Sequence, residues 1–251
     1  MRLTFLGTGA VDAVPLRGCD CRACANARAF PQHCRAPASA RLDLPDRSLM
    51  IDAGRGDFGP LIDANPIDAL LLTHFHVDHV QGLFPFRWGL APQLTVYAPD
   101  DPAGCADLLR HTGCLEFATL DAFKPIALGR LTVTPVPLHH SRPTLGYVFD
   151  DGQTRLAYLT DTAALPEDTR AFLIQHAPET MVLDCTHPPG AGCGNHNTPD
   201  EVCAEHRAIQ PRRTLMTHVS HSLDAWLMAN PAACLPGMAI ASDGQVIEPA
   251  I

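Results

Sequence analysis

Residues 73–79, Thr73-His74-Phe75-His76-Val77-Asp78-His79, place four metal-competent side chains, His74, His76, Asp78 and His79, within six positions. Imidazole and carboxylate together suit Zn, Mn, Fe, Ni or Co better than Ca or Mg. One such histidine would read as an ordinary core or surface residue; four donors at this spacing read as a metal site. The preceding run, Ala69-Leu70-Leu71-Leu72, is short and apolar and predicts a buried strand that feeds the donors into a loop. If residues 74–78 stay extended, His74, His76 and Asp78 share one side, because strand side chains alternate.

Other donors follow other predicted strands. The strand over residues 131–136 ends in Leu138-His139-His140-Ser141. Adjacent strand residues face opposite ways, so one of His139 and His140 reaches the site, and spacing does not say which. Residues 156–160 deliver Asp161, and 214–217 deliver His218. Asp52 follows the apolar run 49–51 and has the place of a turn former or of a support for the metal loop. Asp184 and His187 follow the strand 181–183, either as ordinary loop residues or as groups that orient the site. His196 sits in a glycine-rich loop just before Thr198-Pro199-Asp200-Glu201, a capping box with Pro at the first helical position.

A second cluster, Gly18-Cys19-Asp20-Cys21-Arg22-Ala23-Cys24, spaces three thiols as C-x-C-x2-C. Thiolates so placed favour zinc in a closed tetrahedral site. Its fourth ligand is open between the nearby His33 and Cys34 and a distant histidine. Such a site would pin a long loop over about residues 18–35 with little apolar periodicity of its own.

The remaining chain alternates predicted strands and helices. Strands are expected at 3–6, as a pair within 41–54, at 94–97, as a hairpin of 145–149 and 156–160 around Asp150-Asp151-Gly152, and at 244–247. Helices are expected from Val80, over 102–112, 166–176 and 199–209, and over 223–228 with Ser222 as cap, while Pro60 and its neighbouring glycines predict a loop. No linker, repeat or low-complexity segment divides the sequence, so residues 1–251 are expected to form one α/β domain.

With 251 residues and 46% hydrophobic content, the chain can bury a large core. Its net charge of −9 disfavours nucleic-acid binding, which needs clustered Lys and Arg, but permits a small phosphorylated substrate beside bound cations. Ten cysteines beside thirteen histidines suggest metal binding more than a disulfide scaffold. No secretory leader is expected from Met1-Arg2-Leu3-Thr4-Phe5-Leu6-Gly7, and no apolar run is long enough for a membrane span. A cytoplasmic protein with reduced thiols is the expectation.

The H-x-H-x-D-H run resembles the signature of the metallo-β-lactamase superfamily. The resemblance extends over most of the chain. Gly7-Thr8-Gly9, the cysteine cluster, residues 138–141, Thr160-Asp161-Thr162, residues 184–189, Asn195-His196 and residues 217–221 look like the PhnP phosphoribosyl cyclic phosphodiesterases, as do Phe84-Pro85-Phe86-Arg87-Trp88-Gly89 and Ser222-Leu223-Asp224-Ala225-Trp226-Leu227-Met228.

That resemblance implies a four-layered αββα sandwich with two active-site ions, Mn or Zn, and one structural Zn. Carried over by position, His74, His76 and His140 would hold one ion, and Asp78, His79 and His218 the other, with Asp161 between them. Cys19, Cys21, Cys24 and His221 would hold the zinc, while Cys34, Cys105, Cys185, Cys193 and Cys203 match no ligand position. Asp78 and Asp161 would serve catalysis through the metals, and His196 would be the proton donor.

Two divalent ions less Asp78, Asp161 and a hydroxide leave one net positive charge, which suits a phosphodiester monoanion. The implied reaction opens 5-phospho-α-D-ribosyl 1,2-cyclic phosphate to α-D-ribose 1,5-bisphosphate in phosphonate catabolism. Arg142 and Arg17 are the sequence's candidates for the second phosphate, and a homodimer is the family's expectation. The rivals are a transfer-RNA 3′-processing nuclease, a cyclic-nucleotide phosphodiesterase, a lactone or thioester hydrolase, and a cofactor-biosynthesis relative without hydrolase activity.

Overall fold

Apolar runs without alternation make strands that bury both faces, and two such sheets carry this fold. The computed structural model describes residues 1–90, 92–191, 194–231 and 236–248, so Cys193 lies outside the described residues. The strands of the first sheet are β1 (Arg2–Gly7), β2 (Ser39–Leu44), β3 (Arg47–Ile51), β4 (Ala69–Leu71), β5 (Leu94–Pro99) and β6 (Leu115–Leu120). The second sheet holds β7 (Ile126–Leu128), β8 (Leu131–Pro137), β9 (Leu145–Asp150), β10 (Arg155–Leu159), β11 (Thr180–Asp184), β12 (Arg213–Thr217) and β13 (Met238–Ile240). A short β14 (Val246–Ile247) joins the edge of the first sheet beside β1. Neighbours run β14-β1-β2-β3-β4-β5-β6 and β13-β12-β11-β10-β9-β8-β7.

Side-chain alternation sorts these strands into layers. Leu49 and Ile51 enter the core between the sheets, while Met50 faces the outer helices. Leu156 and Tyr158 likewise face inward, and Ala157 and Leu159 outward. Helices α2 (Phe58–Ala64), α3 (Val77–Val80) and α4 (Ala106–Arg110), with a 3-10 stretch over Gln81–Trp88, cover the first sheet. Helices α5 (Glu167–His176), α6 (Pro199–Ile209) and α7 (His221–Ala229) cover the second. The architecture is the expected αββα sandwich, and no helix among the described residues is long and apolar enough to cross a membrane.

Several local expectations differ. The segment around Pro60 is helical: proline stands in the first turn of α2, where its missing N–H costs nothing. The cysteine segment is not all loop, because α1 (Arg22–Ala29) follows Cys21 and packs against α7. Residues 74–78 do not stay extended, since His76 caps the short α3 that carries Asp78 and His79. The helix expected over 102–112 shrinks to α4, as Asp101 closes a turn on the N–H groups of Ala103 and Gly104. Ser220 rather than Ser222 caps α7, accepting from Leu223 N–H at 3.2 Å. The capping box of α6 forms as expected, with Thr198 N–H donating to Glu201 at 2.7 Å.

Gly54 is the tightest approach at the metal-competent loop. A Cβ there would collide with the backbone carbonyl of Asp78. Gly54→Ala is therefore expected to lower stability by about 1–3 kcal/mol, an overpacking cost, seen as a lower urea midpoint. A variant that unfolds with the wild type would show that the loop has room to spare.

Candidate metal centre

Each sheet ends in a buried aspartate that accepts hydrogen bonds from a threonine and a histidine. On the first sheet, Asp52 follows β3. It accepts from Thr73 N–H at 2.8 Å, from the Thr73 hydroxyl at 2.9 Å and from His79 Nδ1–H at 2.8 Å. The Thr73 hydroxyl, having given its proton to Asp52, accepts from His74 Nδ1–H at 3.0 Å. Both imidazoles thus turn their Nε2 lone pairs away from Asp52.

On the second sheet, Asp184 ends β11. Its Oδ2 accepts from His196 Nδ1–H at 2.7 Å, and its Oδ1 accepts from the Thr186 hydroxyl at 3.0 Å. The same hydroxyl accepts from His218 Nδ1–H at 2.8 Å. His140 Nδ1–H donates to the backbone carbonyl of Asn195 at 3.1 Å. His140 is thus the member of the 139–140 pair that faces the site, and His139 is exposed.

The remaining nitrogens converge. His74 Nε2 and His140 Nε2 lie 2.8 and 3.0 Å from His76 Nδ1. Three ring nitrogens meet there with one proton to share, an arrangement that a cation satisfies and hydrogen bonding does not. His79 Nε2 and His218 Nε2 are buried with no hydrogen-bond partner. They face Asp78 Oδ2 at 3.4 and 3.6 Å. Asp161 stands between the two groups, with carboxylate oxygens 3.3 Å from His79 and His218, 3.7 Å from His140 and 3.9 Å from His74. Lone pairs set against carboxylates in a buried site repel unless a proton or a metal ion lies between them. The donor set fits a pair of divalent ions.

Without metal, protons take that place. Burial alone would depress His79 and His218, but carboxylates overrule it. Asp161, Asp52 and Asp78 hold His79 well above the usual histidine range. Asp161, Asp78 and Asp184 raise His218 to about 9. Burial would likewise raise Asp78 and Asp161, yet the surrounding imidazoles hold both far below the usual carboxylate range. His74, His76 and His140 are all lowered, chiefly by burial. Asp52, Asp161 and His218 also share a left-handed backbone, at φ of 61°, 64° and 60°. Non-glycine residues adopt this conformation at a cost of about 1 kcal/mol or more, and here it turns three strand ends toward one point.

The cysteine cluster gathers as well. Cys19 Sγ and Cys21 Sγ each lie 3.5 Å from His221 Nδ1, and the ligand atoms of Cys19, Cys21, Cys24 and His221 are all within 4.8 Å of one another. Leu16 N–H points at Cys24 Sγ at 3.3 Å. Burial would raise the Cys21 thiol, but His221 and its sulfur and backbone neighbours pull it down to about 6. Three sulfurs and one imidazole suit tetrahedral zinc. His33 and Cys34 stand outside this group.

Arg142, a candidate for the second phosphate, is already engaged by a carboxylate. Its guanidinium holds Asp101 through Nε at 2.9 Å and Nη2 at 2.7 Å, and Nη2 also donates to Gly104 O at 2.9 Å. Arg17 is exposed on the segment leading to the cysteines. Thr73 and Thr186, which set the histidine tautomers, were not singled out from sequence. Thr73 stands next to the histidine run, and Thr186 carries no sequence signal of its role.

A family model described as a beta-lactamase superfamily domain matches residues 47–219. The chain belongs to that superfamily. Among curated relatives of this superfamily member, an octanoyltransferase from Porphyromonas gingivalis is 32% identical over 64% of this chain and 35% of its own length. A ribonuclease Z from Methanopyrus kandleri is 28% identical over 47% of this chain and 46% of its own. The chain thus spans about a third to a half of the length of these relatives. Of solved structures, a new diphosphatase from the PhnP family aligns at TM-score 0.81 and 27% identity, covering 98% of this chain and 97% of that one. Zinc-bound PqqB from Methylobacterium extorquens shares the fold, with TM-score 0.79, 23% identity and coverage of 99% and 100%.

The raised histidines give a pH dependence. A pKa of about 9 for His218, above the ordinary 6.5, contributes stability that is fully present below pH 6.5 and lost as pH rises through about 9. The metal-free protein is expected to lose urea resistance across that window. The metal-loaded protein is expected not to, because the cation replaces the proton. Parallel urea melts at pH 6.5 and 9.5 check this, and equal losses with and without metal would contradict it.

Proposed function

We propose that this chain is a binuclear metal-dependent phosphodiesterase, with 5-phospho-α-D-ribosyl 1,2-cyclic phosphate as substrate and α-D-ribose 1,5-bisphosphate as product. The observation that carries the reading is the placement of buried Asp161 between the His74/His76/His140 group and the Asp78/His79/His218 group, with His196 beside it. In this reading the first group would hold one ion and the second group the other, with Asp161 within reach of both. Mn or Zn would fill the pair, and Cys19, Cys21, Cys24 and His221 would hold zinc. A bound pair supplies hydroxide near neutral pH and offsets phosphate charge.

The chain's own residues do the rest. Asp52 and Thr186 fix the tautomers of His79 and His218, so that lone pairs rather than N–H groups face Asp78 and Asp161, where the ions would sit. His196 is 15% exposed, its ring stacks on His218 at 4.8 Å, and its Nδ1–H is held by buried Asp184. That leaves Nε2 to carry a proton toward the departing oxygen, with Asp184 stabilising the imidazolium. Arg142, whose Nε and Nη2 are engaged by Asp101 and Gly104, and Arg17 are the candidates for the substrate's second phosphate. The net charge of −9 supports a small phosphorylated substrate over transfer RNA. The likeness to the PhnP-family diphosphatase, extending over 98% of the chain, supports a second reading, cleavage of a diphosphate linkage at the same metals.

Metal-defined protein assayed on the cyclic ribose phosphate, a diphosphate-linked nucleotide and precursor transfer RNA separates these readings. The cyclic phosphate is expected to give the highest kcat/KM; faster turnover of the diphosphate would install the second reading, and faster cleavage of RNA would remove both. His196→Ala is expected to lower kcat about 10²–10⁴-fold on substrates with an alkoxide leaving group. It should cost far less on a p-nitrophenyl ester, whose leaving group needs no proton. Equal losses on the two would strip His196 of the acid role.

A further inference from the structure

The loop between β1 and α1 carries a carboxylate that neither metal group uses. Asp12 Oδ2 lies 3.6 Å from His221 Nε2, on the side of the ring opposite the sulfurs. Its other oxygen, Oδ1, is buried with no hydrogen-bond partner. Burying part of a carboxylate without a partner is costly, so its position asks for a compensating contact. The backbone holds it there. Gly9 pairs with Val219, Val219 N–H donates to Thr8 O at 2.8 Å, and Ala13 N–H closes a turn on Ala10 O at 2.9 Å. The stretch that presents Asp12 is thereby fastened to Val219, which follows His218 directly and stands two residues before His221.

The ring chemistry supplies the reason. For His221 to bind a cation through Nδ1, beside Cys19 and Cys21, its proton must sit on Nε2. An N–H at Nε2 has Asp12 Oδ2 as its charged neighbour, 3.6 Å away and within ion-pair rather than hydrogen-bond range. Metal-bound histidines ordinarily give their second N–H to a carboxylate or carbonyl, which fixes the ring and raises its basicity.

We propose that Asp12 is the outer carboxylate of the cysteine site, a positioning residue that holds the Nε2–H of His221 and so presents Nδ1 to the zinc. The proposal rests on the reading that Cys19, Cys21, Cys24 and His221 hold a metal. Because His221 opens α7 three residues after His218, Asp12 also ties the entry of that helix to the floor of the binuclear centre.

Cobalt substitution tests this in the full chain. Thiolate-to-cobalt charge-transfer absorption reports the cysteine site alone, since the other groups contain no sulfur. Wild type, Asp12→Asn, Asp12→Ala and Cys21→Ser are loaded with cobalt and challenged with excess chelator. Cys21→Ser is expected to weaken the band, marking the site. The band should decay about 10–100-fold faster in Asp12→Ala than in wild type, the usual cost of losing an outer ligand partner. Asp12→Asn, whose amide oxygen can still accept from Nε2–H, should fall between them. Thermal melts of the metal-free proteins should coincide, which separates metal positioning from a merely structural loss. Decay at the wild-type rate in Asp12→Ala overturns the role of Asp12. Absence of the band from wild type overturns the zinc reading itself, and the proposal with it.

Discussion

The site depends on two buried carboxylates that are not themselves expected to touch a metal. Asp52 and Asp184 end strands in different sheets, and each works through a threonine hydroxyl that has one proton to give. At Thr73 that proton goes to Asp52, and at Thr186 it is shared between Asp184 and the backbone carbonyl of His218; neither kind of oxygen can donate, so the hydroxyl must accept from a histidine, and the histidine's other nitrogen is left bare. A neutral imidazole has one donor and one acceptor nitrogen, so fixing one fixes both. Without these pairs each ring could present either a lone pair or an N–H to the cavity, and an N–H binds no cation. The strength of the arrangement comes from burial: in a low-dielectric surrounding, a satisfied network of this kind specifies one geometry.

Strain and charge are concentrated where the metal ions are proposed to sit. Asp52, Asp161 and His218 adopt left-handed backbone at strand ends, and the two sheets around them are regular enough to hold that cost. Asp78, Asp161, His79 and His218 bring together charges that balance only with protons or cations among them. The fold is therefore prepared for ions in a way that a hydrophobic core could not reproduce. Close backbone contact serves the same end, with Gly54 packed against the carbonyl of Asp78 so that the ligand loop lies flat on the first sheet.

The cysteine cluster sits where the N-terminal segment meets α7. Cys19, Cys21 and Cys24 are about 200 residues from His221 in sequence, yet the parallel bridge between Gly9 and Val219 brings their segments together. Arg35 reinforces the same seam by gripping Asp224 of α7 at 3.0 Å and the carbonyl of Ala241 at 2.6 Å. A short peptide, Val219-Ser220, is all that separates a proposed active-site ligand from the histidine at the thiols.

Read alone, the sequence determined the metal-competent run, the thiol cluster, the order of strands and helices, and the capping box of α6, because these are encoded in spacings of a few residues. Continuous apolar runs such as 69–72 also determined that the strands lie between layers. Spacing left open whether His139 or His140 faces the cavity and which histidine joins the thiols; the resemblance named His140 and His221, tertiary structure brings both into place, and it alone set Arg142 against Asp101. It also turned residues 77–80 into a helical turn and made Thr186 a hinge of the site. Apart from that local turn, those outcomes depend on residues far apart in the chain meeting at about 3 to 3.5 Å. Local pattern carries periodicity and turn chemistry, but not the partner that arrives from another strand.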